Sequence, residues 1–179
     1  MQRPWSVVVA VLVMCAWSGA LAAQKMHACS LLTSAEVSDA VGGHAGPFQE
    51  SDIVVPAGPS KGETMGSCLW PLGDGQSMVS ANVLRALQGA QREAGLAQLH
   101  QVFEGLKAEG WMEAHKRIGN ATCATLTPPP AATDAPTMVV CLAEAKQMAI
   151  SVGWMTEKGK KVAPAKIKTL LDTAVARLP

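Results

Sequence analysis

Cysteine is the residue type whose count and spacing most directly suggest chemistry in this chain. The sequence has 179 residues and five cysteines, of which Cys15 lies in an apolar leader. No C-x-x-C pair occurs, and no set of His and Cys residues has the spacing of a zinc site. Loss of the leader would leave Cys29, Cys68, Cys123 and Cys141, an even number typical of an extracytoplasmic protein with two disulfides. Structural bonds therefore explain the cysteines better than a redox or metal site.

The pairing of these four cysteines has three possible solutions, and the sequence alone does not choose among them. Cys123 and Cys141 fall in adjacent predicted strands joined by a proline-rich loop, so they could face each other. We favour Cys29–Cys68 and Cys123–Cys141, because each bond then closes within one half of the chain. Each bond would stabilise the fold by about 2–4 kcal/mol by restricting the unfolded chain.

Histidine and carboxylate residues offer the next candidate chemistry. The G-x-S-x-G, H-E-x-x-H and phosphate-loop patterns are all absent. His44 is the one histidine placed for a site, in a Gly-rich loop, and an envelope hydrolase would need Glu50, Asp52 or Glu63 beside it. A surface or packing role is the commoner fate of scattered histidines. We therefore assign no catalytic residue, no metal ligand and no cofactor.

Aromatic residues are few, with five Trp, two Phe and no Tyr. Trp70, Trp111 and Trp154 fall at the starts or ends of predicted strands, and Phe48 lies in the first long loop. The three tryptophans could line the pocket of a small-molecule carrier, or they could complete the core, which we favour. Together with His44, these four aromatic residues form the candidate binding surface.

A basic cluster lies near the C-terminus, at Lys158, Lys160, Lys161, Lys166 and Lys168. It could bind an anionic partner or lipid headgroups. A solvated linker followed by the exposed face of a helix is the simpler interpretation, and we prefer it.

Residues 1–23 have the pattern of a secretory signal peptide: Arg3, then an apolar run, then small residues. No later stretch is apolar for long enough to span a membrane. The formal net charge is +1 for the whole sequence. Removing the leader takes Arg3 and no acidic residue, so the mature chain is neutral and lacks a global electrostatic attraction to nucleic acid. We expect residues 24–179 to form a single periplasmic or secreted domain.

A short capped helix begins the mature domain. Thr33 is its predicted N-cap, and Glu36 lies three residues later, which makes a capping box. Gly42 is placed to end the helix in the left-handed conformation. Cys29 lies just before this helix, where a disulfide would anchor the N-terminus of the mature chain.

The remaining elements are read from hydrophobic periodicity and turn residues. Strands are predicted at 67–72, 76–85, 111–118, 121–126, 137–142 and 148–154, and helices at 91–109 and from Pro164 onward. The order indicates an α+β fold, an antiparallel sheet with helices packed on it. The apolar stretch S-D-I-V-V around Ile53 could form one more short strand, within an otherwise Gly- and Pro-rich loop at 42–66. This loop and the proline-rich loop at 127–136 are the expected contact surfaces.

Two short motifs carry a resemblance. The segment C-S-L-L-T-x-x-E-V at Cys29–Val37 and the later C-L-W at Cys68–Trp70 resemble those of a group of small exported or lipid-anchored bacterial proteins of unknown function. Domains of that group open with a Cys-Ser-Leu-Leu-Thr helix and carry a later Cys-x-Trp strand. The resemblance implies a Cys29–Cys68 bond and an α+β sandwich, and it implies no catalysis. This chain lacks the lipobox of the lipid-anchored members, because Met14 is too large for the position before a modified cysteine.

These observations predict an exported, non-enzymatic binding or accessory protein whose partner is an envelope protein or a small molecule. The alternatives are an envelope hydrolase using loop carboxylates with His44, and a small-molecule carrier with a tryptophan-lined pocket.

Overall fold

The computed structural model describes residues 27–55, 61–85, 89–90, 93, 97, 104–132, 135–157 and 160–179. The predicted signal peptide at 1–23 lies outside the described residues. So does most of the predicted helix at 91–109, of which the described positions 93, 97 and 104–108 are helical.

Seven strands form one antiparallel sheet. They are β1 (Gln49–Val54), β2 (Thr64–Pro71), β3 (Met78–Arg85), β4 (Met112–Ile118), β5 (Ala121–Thr127), β6 (Thr137–Ala145) and β7 (Met148–Thr156). Their order across the sheet is β1-β2-β3-β7-β6-β5-β4. The last strand in sequence, β7, is thus the central strand, and it joins the first three strands to the last hairpins by pairing with both β3 and β6.

Besides the helical positions already given, the described residues include a 3-10 turn at Ala28–Ser30 and two α-helices with defined ends, α1 (Ser34–Val41) and α2 (Pro164–Ala176). The capping box of α1 is confirmed, because the Thr33 side chain accepts from the Glu36 amide and the Glu36 side chain accepts from the Thr33 amide. Gly42 ends α1 with φ 72°, the conformation that glycine adopts without strain. Pro164 occupies the first turn of α2, where its missing N–H costs no hydrogen bond.

The main core lies on one face of the sheet, which we call the helical face. It is covered by α2, which contacts β5, β6, β7 and α1, and by the 3-10 turn, which contacts β1, β2 and β3. Alternate residues of the strands meet the apolar side of α2 there. The larger members of this core are Cys68, Trp70, Val79, Val83, Cys123, Cys141, Ile150, Val152, Ile167, Leu170 and Leu171.

The opposite face carries a second, smaller core and a buried polar row. The small core consists of Leu106, Trp111, Leu126, Ala135 and Met138. The polar row crosses three neighbouring strands in register.

That row consists of Ser67, Asn82 and Ser151, which are partners in the registers of β2, β3 and β7 and are all buried. Ser67 Oγ donates to Asn82 Oδ1 at 2.8 Å, and Asn82 Nδ2 donates to Ser151 Oγ at 3.3 Å. The hydrogen bonds offset the cost of burying these polar groups.

Both disulfides form with the favoured pairing. Cys29 joins the 3-10 turn to Cys68 of β2, with a Cα–Cα distance of 5.0 Å. Cys123 and Cys141 are direct partners in the register of β5 and β6, with a Cα–Cα distance of 4.0 Å. The four disulfide-bonded cysteines contact the main core, so the bonds fix the strands that line it and the chain ahead of α1.

The predicted antiparallel sheet and its two disulfides are therefore confirmed, whereas the packing of helices on the sheet is confirmed only in part. The described chain is mostly sheet, with α2 as the main helix against it. One reason is that the possible short strand around Ile53 is a full strand, β1, which pairs with β2 over six residues. Within the described residues, no helix combines the length and apolar character needed to cross a membrane.

Candidate functional site

A cleft of about 510 Å³ opens at one end of the sheet, on the helical face. Four parts of the chain form its walls: the end of α1, the β2–β3 turn, the end of β7 and the segment before α2. The lining residues are Val41, Gly42, Gly43, His44, Leu72, Gly73, Asp74, Ser77, Trp154, Thr156, Lys160, Lys161 and Val162.

The end of α1 brings His44 to the cleft. The amides of Gly42 and Gly43 both donate to the carbonyl of Ser38, which closes the helix. The chain then meets the β2–β3 turn, where the amide of Gly73 donates to the carbonyl of His44 at 3.0 Å. The backbone of His44 is thus held by the turn, while its side chain remains exposed.

The β2–β3 turn is organised around the carboxylate of Asp74. It accepts hydrogen bonds from the amide of Ser77 at 2.7 Å, the amide of Gln76 at 3.1 Å and the hydroxyl of Ser77 at 2.6 Å. These bonds favour the charged form and hold the pKa of Asp74 well below its usual range, with the Ser77 hydroxyl as the largest cause. The carboxylate is therefore ionised at neutral pH and occupied by its own turn.

The segment before α2 brings positive charge to the opposite wall. Lys160 Nζ lies 3.2 Å from Asp74 Oδ2 and 2.9 Å from Glu157 Oε2. Hydrogen bonding to Glu157 and then to Asp74 raises the pKa of Lys160. Lys161 follows directly and is exposed. It has no ion-pair partner among the described residues.

The floor of the cleft includes Trp154, from the last part of β7. Its register partners are Val79 of β3 and Val139 of β6, both buried in the main core. The ring packs against this core and is partly buried, so part of its surface lines the cleft. Its Nε1 is buried, without a hydrogen-bond partner in the described part of the chain.

The structure brings two of the five predicted surface residues together, His44 and Trp154, in the wall of the cleft. Trp70 is fully buried in the main core, and Trp111 is buried in the smaller core. Phe48 is 52% exposed and precedes β1. The cleft is therefore lined by one tryptophan rather than three.

The carboxylates expected beside His44 lie elsewhere. Glu50 and Asp52 are on β1, and Glu50 Oε1 lies 3.1 Å from Nδ1 of His27. Glu63 precedes β2. None of the three lines the cleft, whose acidic residue is Asp74. The structure thus assembles no acid–base pair from these carboxylates and His44.

Several lining residues were not among the predicted site residues. Asp74 and Ser77 belong to an Asx-type turn, and the sequence G-D-G-Q-S is typical of such a turn. Lys160 and Lys161 belong to the predicted basic cluster, which we interpreted as a solvated linker. The two lysines lie near the turn at Asp74 because β7 pairs with β3, and no local sequence pattern specifies that pairing.

Comparison with solved structures identifies the fold. The chain is similar to the crystal structure of the extracellular domain of PknH from Mycobacterium tuberculosis, with a TM-score of 0.52 and 11% sequence identity. The superposition covers 83% of this chain and 92% of that domain. No protein-family model matches the chain, and no curated protein matches it in sequence. At this identity the likeness shows a shared fold and carries no information about a shared ligand.

Proposed function

We propose that this chain is an exported, non-enzymatic binding protein whose cleft at His44 and Trp154 takes a small organic anion. The main support for this proposal is the set of side chains that line the cleft. Trp154 and neighbouring apolar side chains offer an apolar surface, and Lys161 offers a positive charge that no described carboxylate neutralises. Ligand sites commonly combine an apolar lining with a few polar groups that orient the ligand.

The charges of the cleft favour an anion over a cation. The carboxylate of Asp74 is occupied by Ser77, Gln76 and Lys160, so it is not available to bind a cation. Lys161 is available, and the exposed imidazole of His44 can donate a hydrogen bond in either tautomer. A carboxylate or phosphate joined to an apolar or aromatic part would match both kinds of surface.

Export is supported by the two disulfides, which persist in oxidising compartments outside the cytoplasm. The similar fold of a domain described as extracellular agrees with this location. The periplasm is the specific compartment that we propose, on the strength of the predicted signal peptide.

Titration of the mature protein with matched probes tests the proposed ligand class. Benzoate and phenyl phosphate are the anionic probes, and benzyl alcohol is the neutral one; tryptophan fluorescence and calorimetry report binding. We expect the anions to bind and the alcohol to bind about tenfold more weakly or not at all. Lys161→Gln should weaken anion binding by a similar factor, whereas Lys166→Gln, an exposed position outside the cleft, should leave it unchanged.

Two results would reject this function. One is equal binding of the anionic and neutral probes, and the other is an equal effect of the two lysine variants. Native mass spectrometry of protein taken from its own cell envelope gives an independent check. A mature mass reduced by four hydrogens would establish leader removal and both disulfides, and any additional retained mass would identify the ligand.

A further inference from the structure

Strand β4 forms one edge of the sheet in the part of the chain that the structure describes. Five of its seven residues are exposed, and Met112 at its start is 64% exposed. A sheet edge presents backbone donors and acceptors that another strand can pair with. The edge formed by β4, with its exposed Met112, is therefore a possible site for the addition of another strand.

The sequence of β4, M-E-A-H-K-R-I, is complementary to itself when reversed. With two copies antiparallel and His115 opposite its own equivalent, Met112 of one copy faces Ile118 of the other. Glu113 then faces Arg117, and Ala114 faces Lys116. Each end of the contact thus holds one apolar pair and one ion pair, and each pair joins the two copies. Opposite charges placed directly across two strands stabilise a sheet.

The β4–β5 hairpin determines which residues of β4 would carry the new hydrogen bonds. Ile118 pairs with Ala121 across a two-residue turn in which Gly119 has φ 60°. Hydrogen-bonded pairs alternate along an antiparallel ladder from such a turn. The backbone groups of positions 118, 116, 114 and 112 are accordingly directed toward β5, and those of positions 117, 115 and 113 are directed away from it.

The side chains of Glu113, His115 and Arg117 share the face of the strand opposite to that of Met112 and Ile118. Within one chain, Glu113 Oε1 lies 2.7 Å from Nε2 of His115, while Arg117 lies four residues from Glu113 along the strand. Four residues of strand span about 13 Å, so Glu113 and Arg117 of the same copy are too far apart to pair. A direct ion pair between these positions therefore requires a second chain.

The other edge of the sheet lacks this self-complementarity. Centring two antiparallel copies of β1 on Ser51 would place Glu50 opposite Asp52, and two like charges directly opposed destabilise a sheet. Pairing β1 of one copy with β4 of the next would match acidic with basic residues, but it would generate an open chain of molecules rather than a closed dimer.

We propose that two copies of this protein associate through β4, antiparallel and about a two-fold axis at His115, to form one continuous sheet. The interface is isologous, since the same strand serves on both sides. It is small, so the dimer forms at micromolar or higher concentration rather than permanently.

Charge exchange tests this register directly. Sedimentation equilibrium of the mature protein should show a monomer–dimer equilibrium with no larger species. Glu113→Arg and Arg117→Glu should each weaken the dimer about tenfold or more, because each places like charges opposite twice. The double variant Glu113→Arg/Arg117→Glu should restore it. An equimolar mixture of the two single variants should also associate, since each supplies the charges that the other lacks.

Lys116→Glu is the matched control, because it alters a charge on the same strand. Lys116 lies on the opposite face of the sheet from Glu113 and Arg117, and it would face the uncharged Ala114 of the second copy. Its effect should be well below that of the other single variants. Near-ultraviolet circular dichroism verifies the fold of each variant, and if a charge variant fails to fold, oxidative cross-linking of His115→Cys replaces it. A monomeric wild type at high concentration, species that grow beyond a dimer, no rescue by the double variant, or no cross-link would each overturn the proposal.

Discussion

Arg177 and Glu36, separated by 141 positions in the sequence, form a bidentate ion pair between the end of α2 and the first turn of α1. Arg177 Nη1 lies 2.8 Å from Glu36 Oε2, and Nη2 lies 2.6 Å from Oε1. Arg177 Nη1 also donates to the carbonyl of Leu31 at 3.1 Å. Because Glu36 is also the acidic member of the α1 capping box, one carboxylate joins the first turn of α1 to the end of α2.

This arrangement predicts acid sensitivity. Hydrogen bonding to Arg177, and next to the Thr33 amide, lowers the pKa of Glu36 from 4.5 to about 2. A carboxylate with a lowered folded-state pKa stabilises the fold above its unfolded pKa and loses that contribution as the pH falls toward the folded pKa. We expect the free energy of unfolding to fall between about pH 4.5 and pH 2, and the Glu36→Gln variant to lack this part of the fall.

Urea unfolding across that pH range measures the effect. At neutral pH, Glu36→Gln should cost about 1 kcal/mol, a modest value because solvent screens this partly exposed pair. Glu109→Gln, at an exposed position, is the control. An identical pH profile for wild type and Glu36→Gln would show that this carboxylate does not stabilise the fold.

The two disulfides should contribute unequally. Cys29–Cys68 spans 39 positions and Cys123–Cys141 spans 18. Restriction of the unfolded chain grows with the length of the closed loop, so their removal should cost about 4 and about 3 kcal/mol. Urea unfolding of the two paired Cys→Ala variants gives both values. If the shorter loop proves the costlier, packing of the buried sulfur atoms against the core outweighs chain entropy.

Local features of this fold could be predicted from the sequence, because short-range interactions decide them. The Thr33–Glu36 capping box, the helix end at Gly42 and the first-turn Pro164 each depend on residues within one turn of helix. The strands from β2 to β7 follow from alternation and turn residues, although β2 begins earlier than predicted and β6 and β7 end later. The favoured disulfides were also right, since Cys123 and Cys141 belong to consecutive strands.

Long-range relationships could not be predicted in this way. Nothing near Arg177 indicates Glu36 as its partner, and nothing near β3 indicates β7 as its neighbour. The cleft depends on that pairing, since it brings Trp154 and the following lysines to the turn at Asp74. The expected grouping of carboxylates around His44 relied on closeness in sequence, but β1 directs that segment along the edge of the sheet.

The buried polar row predicts a large loss of stability when its central side chain is truncated. Asn82→Ala removes the group that accepts from Ser67 and donates to Ser151, and it leaves two buried hydroxyls without this partner. Unsatisfied buried polar groups cost about 1–3 kcal/mol each, so we expect a total near the upper end of that range. Ser151→Ala, which removes only the 3.3 Å contact, should cost less. Urea unfolding of both variants decides the order, and a costlier Ser151→Ala would contradict the assignment.

A side chain in place of Gly153, within β7, should destabilise the fold. A Cβ atom there would lie 3.0 Å from Oγ of Ser80 and 3.4 Å from Cγ2 of Val140, which belong to the strands on either side. Isolated glycines within strands mark such close approaches. Gly153→Ala should therefore cost about 1–3 kcal/mol by overpacking.

A double-mutant cycle separates this contact from a general cost of replacing glycine. Ser80→Ala removes the closest atom, so Gly153→Ala should cost about 1 kcal/mol less in the Ser80→Ala background than in the wild type. Gly105→Ala is the matched control, because a Cβ there meets nothing within 4 Å and the position lies in helical chain. That variant should be neutral or stabilising, since alanine restricts the unfolded chain and favours helix. If Gly153→Ala costs the same in both backgrounds, the added Cβ clashes with Val140 rather than with Ser80.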